Sequence, residues 1–463
     1  MSVTDTVESR KIVQITVNGL LGRFDHSIEF NPTWRLLILH GPNGVGKTHL
    51  LELIHAVFSQ RYGRLARIPF RSVEFTFDDN CKIEISRNSA EHSPLPLEHP
   101  YELRKVHEST AELFLNLTVP AAEPIKHQFT LSLRAEDRRL FSRLEREYPV
   151  EQIGYDLWID HGTGEQLESY EILERYGASH MIEPNFSDMP LEMTEVFEGQ
   201  NVHLIDTQRL LNPSRRGRRH RRGYGFRQST VVTYAEDLSR RLGEALASNS
   251  RTSQQLDRSF PERLFRDIPT TETEHQLRET YAQQLELRSR LADVAILDSS
   301  TDLELPINEL ADWQRKVLAT YLEDAAAKLQ TFQPLLDKLE LLRDIVNKRF
   351  LFKNLHFDRE KGFAISDENT DASLDPKLLS SGEQHELILM YDLLMNVKEG
   401  ALVLIDEPEI SLHVAWQKAF LDDLDRVASL TTLRFIIATH SPQIIGGRWD
   451  QAVELYNVSS DNV

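Results

Sequence analysis

The amino-acid sequence predicts an α/β fold with an antiparallel β-subdomain and an inserted helical arm. Three observations predict it. An apolar run at residues 36–40 feeds a glycine-rich loop and then a helical segment from Thr48 onward, the strand–loop–helix order of an α/β unit. Alternating strands at 71–77 and 82–85 flank the turn Asp78-Asp79-Asn80, which marks an antiparallel hairpin. Residues 234–350 change to helical spacing, with stripes at Leu238, Leu242 and Leu246, then Leu277, Tyr281 and Leu285, then Val317, Tyr321, Ala325 and Leu329.

The loop carries the chemistry. Gly41-Pro42-Asn43-Gly44-Val45-Gly46-Lys47-Thr48 follows the pattern G-x-x-x-x-G-K-[ST]. Gly44 and Gly46 let the backbone curl so that the N–H groups of Asn43, Gly44, Val45 and Gly46 face phosphate oxygens. Lys47 supplies a point charge to the β and γ phosphates, and Thr48 offers a hydroxyl to Mg²⁺. The helix N-terminus adds a dipole that favours an anion. The loop therefore predicts ATP and Mg²⁺ as ligands.

Composition bounds the rest. With 463 residues the chain is long enough for about three domains, or for one large domain with an insertion. Its 40% hydrophobic content supports a packed core. No apolar stretch approaches the ~20 residues of a membrane helix, so no membrane partner is expected. The polar start of the chain lacks the apolar centre of a signal peptide. The one cysteine, Cys81, excludes an intrachain disulfide and paired-cysteine zinc, which fits a reducing cytoplasm, and it reads as a small strand residue. A net charge of −19 opposes nucleic acid, so polyanion binding must come from a local patch.

In chain order, residues 12–17 and 28–30 read as strands that lead into the loop. Residues 88–100 read as a loop, 128–133 as a strand, 135–148 as a charged helix and 155–164 as a second hairpin. Residues 202–206 return to the central sheet and end just before Gln208. Arg215, Arg216, Arg218, Arg219, Arg221, Arg222 and Arg227 then form a glycine-spaced run with Tyr224 and Phe226. Such a run is either a solvated loop or a contact for DNA, RNA or an acidic protein. Pro261, Pro269 and Pro306 are expected to cut the helical segment into short helices that form an antiparallel arm. Strands return at 349–352 and 362–366. Leu379-Ser380-Ser381-Gly382-Glu383-Gln384 opens an apolar helix and offers hydroxyls and free N–H groups to an anion, although serine is also a routine N-cap. A buried strand at 401–405 ends in Asp406-Glu407, a carboxylate pair suited to hold Mg²⁺ through water and to polarise an attacking water. Another buried strand, at 433–438, ends in Thr439-His440, where a histidine can reach a γ-phosphate.

Residues 41–48, 379–384, 404–407 and 439–440, in that order, resemble the motifs of ABC-type ATPases of the SMC, RecF and OLD class. The resemblance covers residues 10–60 and 350–455. It implies a P-loop ABC-type ATPase head that pairs head to tail as a dimer or higher homo-oligomer, with ATP on Lys47 of one head and Ser380, Ser381 and Gly382 of the other closing over it. It further implies Glu407 as catalytic base, Asp406 as the Walker B carboxylate, His440 as switch histidine and Gln208 as the Q-loop residue, with Thr48, Asp406 and Gln208 at Mg²⁺. Ser381 and Glu383 depart from transporter signatures, as in the SMC-like branch. The organisation so implied is an N-terminal ATPase lobe over 1–212, an Arg/Gly-rich loop over 213–232, a helical insertion over 233–348 and a C-terminal lobe over 349–463.

Within that class, Pro408-Glu409-Ile410-Ser411-Leu412-His413 followed by Trp416-Gln417 is similar to OLD-like ATPases of prokaryotic defence systems. The absence of a Cys-x-x-Cys hook argues against the long-armed break-repair ATPases. The short stretch after His440 is not expected to hold the nuclease fused in OLD proteins. The chain looks most like the stand-alone ATPases of anti-phage systems, PARIS AriA and next Septu PtuA. That likeness implies a separate effector nuclease as partner and gives the arginine run a further candidate ligand, an acidic phage protein. The alternatives are an SMC/RecF-like ATPase acting on DNA and, less favoured by the helical insertion, a transporter subunit.

Overall fold

A computed structural model describes residues 10–31, 33–59, 65, 68–87, 110–132, 144–152, 157–160, 165–168, 172, 176, 189–206, 230–265, 272–298, 305, 308–410 and 412–455. The chain divides into two compact units, Met1–Arg221 with Val397–Val463, and Arg222–Asn396.

The first unit contains two large sheets. One is antiparallel, in the order β2-β1-β4-β5-β6-β7, built from β1 (Ile12–Leu20), β2 (Phe24–Glu29), β4 (Ser72–Phe77), β5 (Lys82–Arg87), β6 (Thr110–Thr118) and β7 (Ile125–Ser132). The expected hairpin is β4–β5, with Asn80 at positive φ in its turn. The other sheet is parallel, in the order β11-β15-β16-β3-β17, from β3 (Leu36–His40), β11 (Val202–Asp206), β15 (Leu402–Asp406), β16 (Arg434–Ala438) and β17 (Ala452–Glu454). Near-continuous apolar runs in β3, β15 and β16 suit strands covered on both faces. Helix α1 (Lys47–Phe58) lies against β11 and β15, and its Leu50, Leu51, Leu53, Ile54, Val57 and Phe58 join a core shared with the antiparallel sheet. There Phe58 meets Phe75 edge-on at 4.7 Å. A small sheet of β8 (Val150–Gln152), β9 (Leu157–Asp160) and β10 (Glu165–Glu168) and helix α2 (Leu191–Glu198) complete the N-terminal part. The expected hairpin near 155–164 pairs Asp160 with Glu165. Most of the charged helix expected at 135–148 lies outside the described residues.

Register places the chemistry. Asp206 stands opposite Asp406, Asp406 opposite Ala438, and Ala438 opposite Leu39. The carboxyl ends of neighbouring parallel strands therefore finish level, and the residues that follow them share one edge, where α/β sheets bind ligands.

The second unit holds α3 (Thr230–Phe265), α4 (Glu274–Asp293), α5 (Asp312–Gln330) and α6 (Gln333–Arg349), the sheet of β12 (Lys353–Asp358), β13 (Gly362–Asp367) and β14 (Ser373–Leu374), and α7 (Ser381–Tyr391). Two expectations are corrected. Helix α3 runs through Pro261 to Phe265 instead of breaking there. Proline at 261 removes the N–H that would bond the Asp257 carbonyl one turn back, a cost the helix carries without breaking. Arg263, which bonds both oxygens of Asp324 on α5 and the carbonyl of Leu256, holds the last turns in place. The strand expected at 349–352 is instead the end of α6 and a kink at Phe352, with φ of 60°, and β12 begins only at Lys353. Gly362 has φ of 79°, and a Cβ there would fall 1.8 Å from the carbonyl oxygen of Ala235, so only glycine lets α3 cross this close to the sheet. Tyr391 donates to Asp237 at 2.8 Å and Arg241 to Asn396 at 2.9 Å, which fixes α7 and the π-helical segment Asp392–Asn396 to α3.

In the first unit, α8 (Phe420–Thr431) and the short turns Val414–Gln417 and Pro442–Ile445 complete the chain. No described helix is long and apolar enough to cross a membrane.

Candidate functional site

The phosphate loop leaves β3 at His40 and enters α1 at Gly46, which adopts φ of 89° as N-cap. No side chain caps α1, so no side-chain acceptor is placed on the first amides of the helix. Gly41 has φ of 152°, and a Cβ would stand 2.7 Å from the carbonyl oxygen of Leu455 after β17. The loop is thus seated on the backbone of the edge strand. From below, His26 of β2 is 4% exposed and its Nε2 lies 3.1 Å from the carbonyl oxygen of Val45. A carbonyl only accepts, so Nε2 carries the proton. Burial holds this imidazole below its ordinary pKa, against the opposing pull of Val45 and Asp25, and so favours the neutral form that makes the bond.

Lys47 is 5% exposed and donates to the carbonyls of Gly41 at 2.9 Å and Pro42 at 3.0 Å. Burial lowers its pKa, while the charges of Glu407, Asp406 and Glu409 act to raise it. Three carboxylates at and just beyond the end of β15 therefore act on the ammonium of the loop. Lys47 Nζ also stands 3.4 Å from His440 Nδ1, and His440 Nε2 stands 3.7 Å from Glu407 Oε1. The sheet edge brings phosphate-loop lysine, histidine and carboxylate into one chain of contacts.

Glu407 has φ of 45°, a left-handed conformation that costs a residue with a Cβ about 1–3 kcal/mol. Its N–H donates to the carbonyl of Ala438 at 2.9 Å, which ties the turn after β15 to the end of β16. Such strain, held by a neighbouring strand, aims the side chain along the sheet edge toward His440.

Mg²⁺ binding draws on hard oxygen donors. Thr48 and Asp406 provide a hydroxyl and a carboxylate at this edge, on the first turn of α1 and at the end of β15. Among the described residues no group of three His, Cys, Asp or Glu forms a self-contained metal site. This donor set fits an ion that keeps most of its ligands from nucleotide and water.

Residues 379–384, matched in sequence to a signature motif, lie in the second unit. Ser380 is the N-cap of α7, and its hydroxyl accepts from the N–H of Glu383 at 3.3 Å. The Glu383 carboxylate accepts from the N–H of Ser380 at 2.7 Å and from Lys353 Nζ, at 2.8 Å to each oxygen. Burial acts to raise the Glu383 pKa, but Lys353 and Ser380 outweigh it and hold the carboxyl below the usual range. Ser380 and Ser381 are exposed and Gly382 is half-buried.

Asn43, Gly44, Val45, Gly46, Lys47, Thr48, Asp406, Glu407 and His440 thus belong to one unit, and Ser380, Ser381 and Gly382 to the other. Gln208 and the arginine run lie outside the described residues. Sequence reasoning assigned no role to His26, Glu409, Gln417 or Lys353. For Lys353 the only signal was a lone basic residue after the apolar run Phe350–Phe352, and for His26 a histidine at an inward strand position.

Residues 218–446 match the family model described as AAA domain, putative AbiEii toxin, Type IV TA system. The match takes in the signature, Asp406, Glu407 and His440, while the phosphate loop precedes it. No curated protein matches the chain. Among solved structures, the chain is similar to the Smc head domain with an extended coiled coil bound to the C-terminal domain of ScpA, derived from Pyrococcus furiosus, at 13% identity and a TM-score of 0.33, covering 96% of this chain and 93% of that one. It is similar also to the SmcHead bound to the C-winged helix domain of ScpA, at 12% identity, a TM-score of 0.33 and the same coverage. Strand order, the loop at 41–48 and the carboxylates at the end of β15 give this chain the parallel sheet and phosphate loop of a P-loop nucleotide-binding fold, and its residues 218–446 are similar to the AAA domain family.

Proposed function

We propose that this chain binds ATP with Mg²⁺ and hydrolyses it between two copies of itself, and that it is the sensor and scaffold subunit of a prokaryotic anti-phage defence system that controls a separate effector nuclease. The contact chain from Lys47 through His440 to Glu407 at the sheet edge carries the catalytic part. In this reading Gly44, Gly46 and Lys47 hold the phosphates, Thr48, Asp406 and Gln208 face the ion, and Glu407 accepts the proton of the attacking water while His440 orients it. Bound Mg²⁺ would neutralise charge on the phosphates. Ser380, Ser381 and Gly382 of a second copy complete the site. The defence role rests on the OLD-like segment at 408–417 and is in keeping with the toxin–antitoxin wording of the matched family.

A second reading, an ATPase acting on DNA, is favoured by the seven arginines at 215–227 in a chain of net charge −19. Strong, salt-sensitive stimulation of hydrolysis by duplex DNA, lost when these arginines are neutralised, would favour it over control of an effector.

The catalytic part is tested with Glu407→Gln. The variant is expected to bind ATP as the wild type does and to hydrolyse it at least ~100-fold more slowly, the usual contribution of a general base. Hydrolysis within a few-fold of wild type would remove Glu407 as the base.

A further inference from the structure

Glu409 lies two residues beyond Glu407, in the turn Pro408–Ile410. Its carboxylate accepts a hydrogen bond from Thr439 Oγ1 at 2.8 Å and another from the backbone N–H of His440 at 2.6 Å. Thr439 Oγ1 in turn accepts from the N–H of Ser441 at 3.0 Å, and Ser441 Oγ lies 2.7 Å from Gln417 Oε1. The Gln417 amide donates back to the carbonyls of Glu409 at 3.3 Å and Leu412 at 3.2 Å. The loop after β16 is therefore folded around one carboxylate, and the segment supplying that carboxylate also carries Glu407.

We propose that Glu409 is a positioning residue for hydrolysis. Its carboxylate holds the turn that sets His440 Nε2 3.7 Å from Glu407 Oε1, and it acts through that turn rather than on the nucleotide. The chemistry favours a carboxylate here. Two oxygens satisfy two donors at once, and bonds to an ionised acceptor are about twice as strong as neutral ones. A backbone N–H cannot reverse its role, whereas a hydroxyl can. Glutamine at 409 therefore keeps an acceptor for His440 N–H and loses only the charge, while alanine leaves the turn without its centre. The tie from Glu407 N–H to the Ala438 carbonyl at 2.9 Å adds the third stitch between the two segments.

This inference rests on Glu407 and His440 acting as proposed above, and the experiment separates the two claims. Single-turnover hydrolysis and ATP affinity are measured for wild type, Glu409→Ala, Glu409→Gln, Thr439→Val and Glu407→Gln, each checked for a wild-type melting profile. Glu409→Ala is expected to slow hydrolysis at least about tenfold, the scale of one charged hydrogen bond, with ATP affinity essentially unchanged. Glu409→Gln is expected to recover most of the rate. Thr439→Val, which removes one of the two bonds to the Glu409 carboxylate together with the acceptor for Ser441 N–H and keeps the shape, is expected to fall between, and it serves if Glu409→Ala does not fold. The inference is overturned if Glu409→Ala turns over like wild type, if its rate and affinity fall in parallel, or if Glu409→Gln is as slow as Glu409→Ala. Those outcomes count against Glu409 alone when Glu407→Gln is inactive. A fully active Glu407→Gln would overturn the underlying reading instead.

Discussion

Helix α1 begins at Gly46 with no side-chain cap, whereas α7 begins at Ser380 inside a closed capping box braced by Lys353. Both starts face anions in the proposed function, yet only one leaves its amides to a ligand. At α1, glycine removes the competing side chain and His26 pins the Val45 carbonyl. At α7, Glu383 takes the N–H of Ser380, Ser380 takes the N–H of Glu383, and Lys353 balances the charge. A self-satisfied helix start has little reason to capture a nucleotide by itself. It offers instead an exposed hydroxyl in a fixed direction, as expected of a surface that closes over a nucleotide already bound elsewhere. In this account α1 captures and α7 completes.

Breaking the capturing end has the largest expected effect. Lys47→Ala should abolish ATP binding, measured by calorimetry, because the buried ammonium is the loop's one fixed cation. Retention of wild-type affinity would contradict the loop's role. Breaking the completing end should do something different. Ser380→Ala should lower stability by about 1 kcal/mol, the usual worth of an N-cap, and leave ATP affinity close to wild type while hydrolysis falls. A loss of affinity as severe as that of Lys47→Ala would erase the distinction between the two helix starts.

The smallest effect concerns the body of α7. His385 is fully buried there, neither ring nitrogen has a hydrogen-bond partner among the described residues, and burial pushes its pKa down to about 4. The folded state holds this imidazole neutral, while the unfolded chain takes up a proton below pH ~6.5. Its effect on stability is therefore absent above that pH and grows unfavourable as the pH falls toward 4, by at most about 3 kcal/mol. The melting temperature of His385→Leu should fall less than that of wild type across this window. Parallel slopes would show that the histidine is relieved by another route.

The first helix start was legible in the sequence, because a strand, a glycine pattern and a helix in immediate succession need no distant contact. The carboxylates at Asp406 and Glu407 were legible for the same reason, since each buried strand announces where its end falls. Residues 202–206 were correctly read as returning to the parallel sheet. Pro261 misled because the helix is held past it by a distant contact, Arg263 reaching Asp324, which is 61 residues away. Phe350 to Phe352 look like strand residues and instead end α6, where neighbours and not propensity decide. Glu409 was read only as part of a segment. Its place appears only once β15 and β16 are set level and bring it to Thr439, 30 residues further along the chain.

The central claim is that 41–48 and 379–384 act together across two copies of the chain. It is tested by mixing two inactive variants, Lys47→Ala and Ser380→Arg, after co-purification to allow exchange. In a mixed pair the intact loop of one chain meets the intact signature of the other. The account predicts that each variant alone hydrolyses no ATP above background and that the mixture recovers a substantial part of the wild-type rate. A mixed assembly as inactive as its parents, or a Ser380→Arg protein that turns over like wild type by itself, would contradict it.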